Sequence, residues 1–134
     1  MGLRVMIVDD HKIFRHALAE MLADAPAIDV VAEVGDGAEA LARAALCQPD
    51  VVCMDISMPR MSGIDATRAL RAAQPQIRIV GLSAYAEQHL VGDMLAAGAC
   101  AYVNKESAAT ELLPLLLQIA AGQPPAQSDT AAAA

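Results

Sequence analysis

Val51-Val52-Cys53-Met54 is a short apolar run that ends on Asp55 and is preceded by the turn signal Gln48-Pro49-Asp50. It shows no alternation of apolar and polar residues. A strand with one wet face alternates; a strand covered on both faces does not. The stretch therefore predicts an interior strand of a parallel sheet that finishes in a carboxylate.

Working outward, the same kind of segment recurs at Leu3-Val8, Ile28-Val34, Ile77-Leu82 and Ala99-Val103. Longer segments with helical spacing separate them. Ile13, Ala17, Met21 and Leu22 mark a stripe in the first; Ala38-Leu46, Ile64-Ala73, Ala86-Ala97 and Ala108-Ala121 are the others. Turn signals fall between, as at Ala25-Pro26, Gly35-Asp36-Gly37, Gln74-Pro75 and Ala97-Gly98. Strands alternating with helices predict an α/β fold, with a parallel sheet covered by helices on both sides and right-handed crossovers. Pro114 conflicts with the last helix. If Ser107 caps it, the proline removes a hydrogen bond past the first turn and meets the Thr110 carbonyl, costing about 3 kcal/mol. Either a kink or a late helix start is expected.

Composition sets limits. The 134 residues fit one domain, and 56% hydrophobic with 19% charged residues is enough apolar material for a core. With aromatics at 2%, that core must be built from Val, Ile, Leu, Met and Ala. A net charge of −7 argues against nucleic-acid binding by this surface, since phosphate contacts need Lys and Arg. The cysteines are Cys47, Cys53 and Cys100, an odd set without C-x-x-C spacing, so neither a disulfide framework nor a zinc site is expected; Cys53 and Cys100 read as buried thiols. Acid at Asp9 interrupts any signal-peptide core, and Met6 stands where a myristoylation signal needs Ser or Thr. No apolar run reaches the ~18 residues of a membrane span. A cytoplasmic protein is expected. Residues 123–134, with Pro124, Pro125 and four terminal alanines, read as a flexible tail or truncated linker after a domain of 1–122.

In an open parallel sheet, sites lie beyond the carboxyl ends of the strands. There the chain carries Asp9 and Asp10 after the first strand, Asp55 after the third, Ser83 at the fourth and Lys105 after the fifth. Three carboxylates brought together repel one another, and at least one pKa should rise without a counter-cation. A hard divalent cation relieves this, and Mg²⁺ commonly binds one or two carboxylates plus water and phosphate oxygens. A carboxylate nucleophile, a cation, a lysine and a small hydroxyl suit phosphoryl transfer onto an aspartate.

Val8-Asp9-Asp10-His11, Met54-Asp55-Ile56-Ser57-Met58-Pro59-Arg60-Met61-Ser62-Gly63, Leu82-Ser83-Ala84 and Gly98-Ala99-Cys100-Ala101-Tyr102-Val103-Asn104-Lys105 together resemble the receiver domains of two-component response regulators, in register from about Leu3 to about Gly122. Glu106 after Lys105, with Asp-Asp-His near the start, is similar to the NarL/LuxR type. The resemblance implies a flavodoxin-like (βα)5 doubly wound sandwich with strand order 2-1-3-4-5. It implies Asp55 as phosphoacceptor; Asp10, Asp55 and the Ser57 backbone carbonyl as Mg²⁺ ligands; and Asp9 acting through water. Lys105 would pair with the acids and the phosphoryl group, Ser83 would hydrogen-bond a phosphoryl oxygen, and Tyr102 would change rotamer with it. The implied partner is a sensor histidine kinase or phosphotransfer protein, with a homodimer left open, no membrane, and no direct nucleic-acid binding. The DNA-binding output domain usual for that type is not in this chain.

Taken singly, these residues have plainer readings. Asp9-Asp10 alone reads as a turn and helix cap, Lys105 as a surface lysine, Ser83 as a strand-end cap and Tyr102 as a packed aromatic. Gly35-Asp36-Gly37-Ala38-Glu39-Ala40 fits G-x-G-x-x-A, but follows the second strand and carries an acid, so turn plus helix start is preferred. His11 is expected to face solvent in the first helical turn; His16 and His89 are expected at the surface; Met54, Met58 and Met61 read as packing. Two other functions compete. An aspartyl phosphatase-like hydrolase usually has a second acid two residues past the nucleophile, where Ser57 stands here. A phosphorylation-independent interaction module would not need the complete set.

Overall fold

The computed structural model describes residues 2–123. Beyond Gln123, the expected tail lies outside the described residues. Strands β1 (Leu3–Val8), β2 (Ile28–Val34), β3 (Val51–Asp55), β4 (Arg78–Ser83) and β5 (Ala101–Asn104) form one parallel sheet in the order β2-β1-β3-β4-β5. This is the flavodoxin-like order expected. Helices α1 (Lys12–Ala23), α2 (Gly37–Cys47), α3 (Gly63–Ala73) and α4 (Val91–Ala97) make the four crossovers, and α5 (Ala108–Ala120) follows the last strand.

The missing alternation in the strands follows from burial on both faces. Val5 and Ile7 of β1 pack with Cys53 of β3 under α1 and α5, against Leu18, Leu22, Leu112 and Leu116. Met6 and Val8 face the other way, with Met54, onto Ala40, Ala44, Leu70 and Met94 of α2, α3 and α4. Every residue from Val51 to Met54 has 0% exposure. Each such side chain contributes roughly 1.5–3 kcal/mol of transfer free energy. Small alanines on α2 let that helix lie close to the sheet. Its start is capped by Asp36, whose side chain accepts from Glu39 N–H at 2.8 Å. α3 begins on Ser62, whose hydroxyl accepts from Asp65 N–H at 3.1 Å.

Four details differ from expectation. On α1 the buried residues are Leu18, Ala19 and Leu22, whereas Ile13 is 87% exposed. Two adjacent apolar rows, 13/17/21 and 14/18/22, both satisfy helical spacing, and the sheet takes the second. The segment expected as one helix from Ala86 is a 3-10 turn over Tyr85–Leu90 followed by the short α4. That turn fully buries no residue and only Leu90 at its end packs on the core, so little packing draws it into α geometry; Glu87 holds it locally by accepting Ala84 N–H at 2.7 Å. Strand β5 starts at Ala101 rather than Ala99, and Cys100 beside it is half-buried.

Pro114 neither delays nor ends α5, which runs from Ala108 to Ala120 through it. The proline lies on the exposed face, opposite Leu112, Leu115 and Leu116, and Thr110 is exposed too. Water can therefore solvate the carbonyl that the proline leaves without a donor. The far end is closed by a Schellman arrangement: Gly122 has φ 78°, its N–H reaches the Ile119 carbonyl at 3.0 Å, and Gln123 N–H reaches Gln118 at 2.9 Å. No helix among the described residues is long and apolar enough to cross a membrane.

Candidate functional site

Parallel register carries the strand ends to one edge. Val8 pairs with Met54, Asp55 with Leu82, and Ser83 with Asn104. Asp9 and Asp10 follow β1 directly, and Lys105 follows β5. The edge concentrates polar groups that the core excludes: of the four buried polar residues among those described, Asp9, Asp55 and Ser83 are here, and Thr67 is the fourth.

Lys105 ties the group together. Its Nζ stands 2.8 Å from Asp9 Oδ2 and 3.2 Å from Asp55 Oδ1, and its side chain is 13% exposed. The ammonium also lies 5.2 Å from the centre of the Phe14 ring, a cation–π contact. Asp9 Oδ1 accepts the His11 backbone N–H at 2.8 Å, and His11 Nδ1 stands 3.1 Å from the same oxygen. Asp10 Oδ1 lies 3.4 Å from His11 Nδ1. Asp9, Asp10, His11 and Asp55 can each offer one ligand atom, all within 4.8 Å of one another.

The expected residues thus divide. Asp9, Asp10, Asp55 and Lys105 are gathered into one cluster. Ser83 is at the adjoining strand end with its Oγ buried and without a hydrogen-bond partner. Ser57 lies exposed in the loop just past β3. Tyr102 is half-buried on β5, beside Gly81 and among the apolar residues under α4. Its place is two residues short of the strand end.

Three residues contribute that sequence reasoning did not assign. His11 is exposed as expected, yet its ring nitrogen reaches both acids; three charged or polar residues in succession gave no sign of which way it turned. Arg15 donates from Nη1 to the Asp9 carbonyl at 2.7 Å. Gly63 packs on the backbone of Asp55: a Cβ there would collide with the Asp55 carbonyl oxygen, and its N–H donates to Ile56 at 2.7 Å. Only the quoted motif that contains Gly63 could have pointed to it.

The electrostatics are those of crowded carboxylates withdrawn from water. Burial, and after it the neighbouring charge of Asp9, push the Asp55 carboxyl up to about 8, with Lys105 only partly opposing them. For Lys105, burial works to lower the pKa, but the bonds to Asp9 and the charge of Asp55 more than offset it, so the ammonium is held above its usual range. Asp55 Oδ2 is buried without a hydrogen-bond partner. Buried, unsatisfied oxygens on clustered carboxylates fit a hard divalent cation with oxygen ligands, and His11 is a softer donor at the rim. Cys53, directly under the site, is unsuited to chemistry, since burial holds its thiol up at about 12.

Residues 5–117 match the family described as the response regulator receiver domain. The response regulator GacA of Pseudomonas viridiflava is 36% identical over 121 residues, 90% of this chain and 56% of that protein. The DNA-binding transcriptional activator DevR/DosR of Mycobacterium tuberculosis is 36% identical over 120 residues, 90% of this chain and 55% of its own length. The chain therefore spans about half the length of the curated relatives it matches. Among solved structures, the signal receiver domain of the response regulator NarL from Mycobacterium tuberculosis superposes with a TM-score of 0.83 at 34% identity, covering 91% of this chain and 98% of that one. A two-component response regulator of the LuxR family from an Aurantimonas species gives a TM-score of 0.86 at 34% identity, covering 98% and 94%.

Proposed function

The chain belongs to the response regulator receiver family, and from that premise we propose that it accepts a phosphoryl group on Asp55, with Mg²⁺, from a sensor histidine kinase or phosphotransfer protein. The observation that carries this reading is the state of Asp55. Its carboxylate is 1% exposed, touches one ammonium and keeps one oxygen without a hydrogen-bond partner, and the Ser83 hydroxyl at the adjoining strand end is buried and unpartnered as well. Such an arrangement is costly for a residue with only a structural role.

In the proposed reaction an Asp55 oxygen attacks phosphorus. The bond from phosphorus to the donor nitrogen or oxygen breaks, and its electron pair leaves with the donor. An ionised carboxylate has no proton to lose, so no separate base is required. Asp10, Asp55 and the Ser57 backbone carbonyl would hold the cation, with Asp9 acting through water. When bound, Mg²⁺ keeps Asp55 ionised and neutralises charge on the transferring group. Lys105 contributes a fixed positive charge on the same oxygens. Ser83 donates its hydroxyl to a phosphoryl oxygen, and Tyr102 changes rotamer as the β4–α4 segment follows.

The role is signalling, and the output is a changed protein surface. Relatives named as DNA-binding or transcriptional regulators support a transcriptional output through a domain outside this chain. A receiver unit of 1–122, working in the cytoplasm, completes the reading. The test is intact mass after treatment with acetyl phosphate and Mg²⁺. One phosphate should add to the wild type and none to Asp55→Asn; an unmodified wild type, or an adduct on the variant, defeats the proposal.

A further inference from the structure

Arg15 is a charged residue on α1 whose side chain is only 16% exposed. It points at the backbone behind the acid group. Nη1 donates to the Asp9 carbonyl at 2.7 Å, and Nε faces Glu33 Oε1 on β2 at 3.6 Å. The next residue of β2, Val34, accepts the Asp9 N–H at 3.1 Å. The peptide groups on both sides of Asp9 are therefore held, one by β2 and one by the guanidinium. Space for this comes from Gly35, where a Cβ would stand 3.2 Å from Nη1.

The Asp9 carbonyl belongs to the peptide plane that leads into Asp10. Fixing that plane fixes where Asp10 starts. Asp10 itself is the least anchored of the three acids, with a side chain 28% exposed against 0% for Asp9 and 1% for Asp55. Arg15 meets a carbonyl and not a carboxylate of the group, so it leaves the acid oxygens available to a cation while adding a positive charge behind them.

We infer that Arg15 is a positioning residue for divalent-cation binding, acting through the Asp9–Asp10 peptide. The inference rests on the reading of the acid group as a Mg²⁺ site. A purely structural role, tying α1 to β2, would change stability and leave the cation affinity of the folded protein alone. Supporting groups of this kind typically change metal affinity 10–100-fold.

The test is calorimetric titration of Mg²⁺ into the whole chain, alongside the rate of phosphorylation by acetyl phosphate as a function of Mg²⁺. Arg15→Gln should raise the dissociation constant about tenfold, with the rate returning near wild type at saturating Mg²⁺. Arg15→Lys, which can still donate to the carbonyl, should recover most of the affinity. A folded Arg15→Gln protein with wild-type affinity overturns the inference, as does a rate lost equally at every Mg²⁺ concentration. Should that variant unfold, Arg15→Met, which keeps the aliphatic stem and removes the donors, carries the same prediction: weaker binding is expected, and unchanged binding overturns. Wild-type protein that fails to bind Mg²⁺ overturns the underlying reading as well, whereas wild-type binding that the variants leave intact overturns this inference alone.

Discussion

Lys105 Nζ stands 3.2 Å from Asp55 Oδ1 in a site where both side chains are largely withdrawn from water. A charge–charge contact that is weak at the surface is much stronger here, because less solvent screens it. The same ammonium reaches Asp9 at 2.8 Å. Lys105→Ala should therefore slow phosphorylation of Asp55 by acetyl phosphate on the order of a hundredfold, the scale for losing one preorganised charge-stabilising donor. The measurement is the initial rate at saturating Mg²⁺, and an unchanged rate would remove Lys105 from the mechanism.

Asp55 also gives stability a definite pH dependence. Its folded pKa is raised to about 8, so between the ordinary carboxylate range and pH 8 the folded chain holds a proton that the unfolded chain has lost. The stabilising contribution is complete below that range and disappears as pH rises through about 8. In metal-free buffer, the melting temperature of wild type should fall relative to Asp55→Asn between about pH 5 and pH 8. Parallel profiles for the two proteins would contradict the raised pKa.

Gly63 leaves no room for a side chain over the Asp55 carbonyl. Gly63→Ala must push α3 away from the end of β3. The expected cost is about 1–3 kcal/mol in urea denaturation, the range for forcing an atom into a packed site, together with weaker Mg²⁺ binding. An alanine variant as stable as wild type would show that the loop yields freely.

Pro114 lies inside α5 on its solvent side. Pro114→Ala restores a donor for the Thr110 carbonyl and removes the ring clash. Stability should rise by up to about 3 kcal/mol, the propensity difference between the two residues. A loss of stability instead would mean that the ring packs in a way the exposed position does not suggest.

Much of this molecule was legible in its sequence because two-sided burial and strand-end acids leave direct marks. Val51 to Met54 are apolar on both faces because helices cover both, and Asp55 is conspicuous at the end of such a run. The set Asp9, Asp10, Asp55, Ser83 and Lys105 could be assembled from topology alone. What escaped has equally physical reasons. Ile13 and Phe14 start adjacent rows on α1, and only the sheet decides which row is buried. The segment Tyr85–Leu90 has helical composition, but only Leu90 at its end packs on the core. Arg15 looks like a solvated helix charge, since its value lies in reaching a carbonyl six residues back and a glutamate on another strand. His11 could not be oriented without the acids in place.

The central claim is that Asp55 itself carries the phosphoryl group. The most direct measurement is borohydride trapping after treatment with acetyl phosphate and Mg²⁺, followed by peptide mass mapping. An aspartyl phosphate is an acyl phosphate, which borohydride reduces to homoserine. Homoserine at position 55, dependent on Mg²⁺, is the predicted result; reduction at Asp9 or Asp10 instead, or at no residue of a demonstrably folded chain, would contradict it.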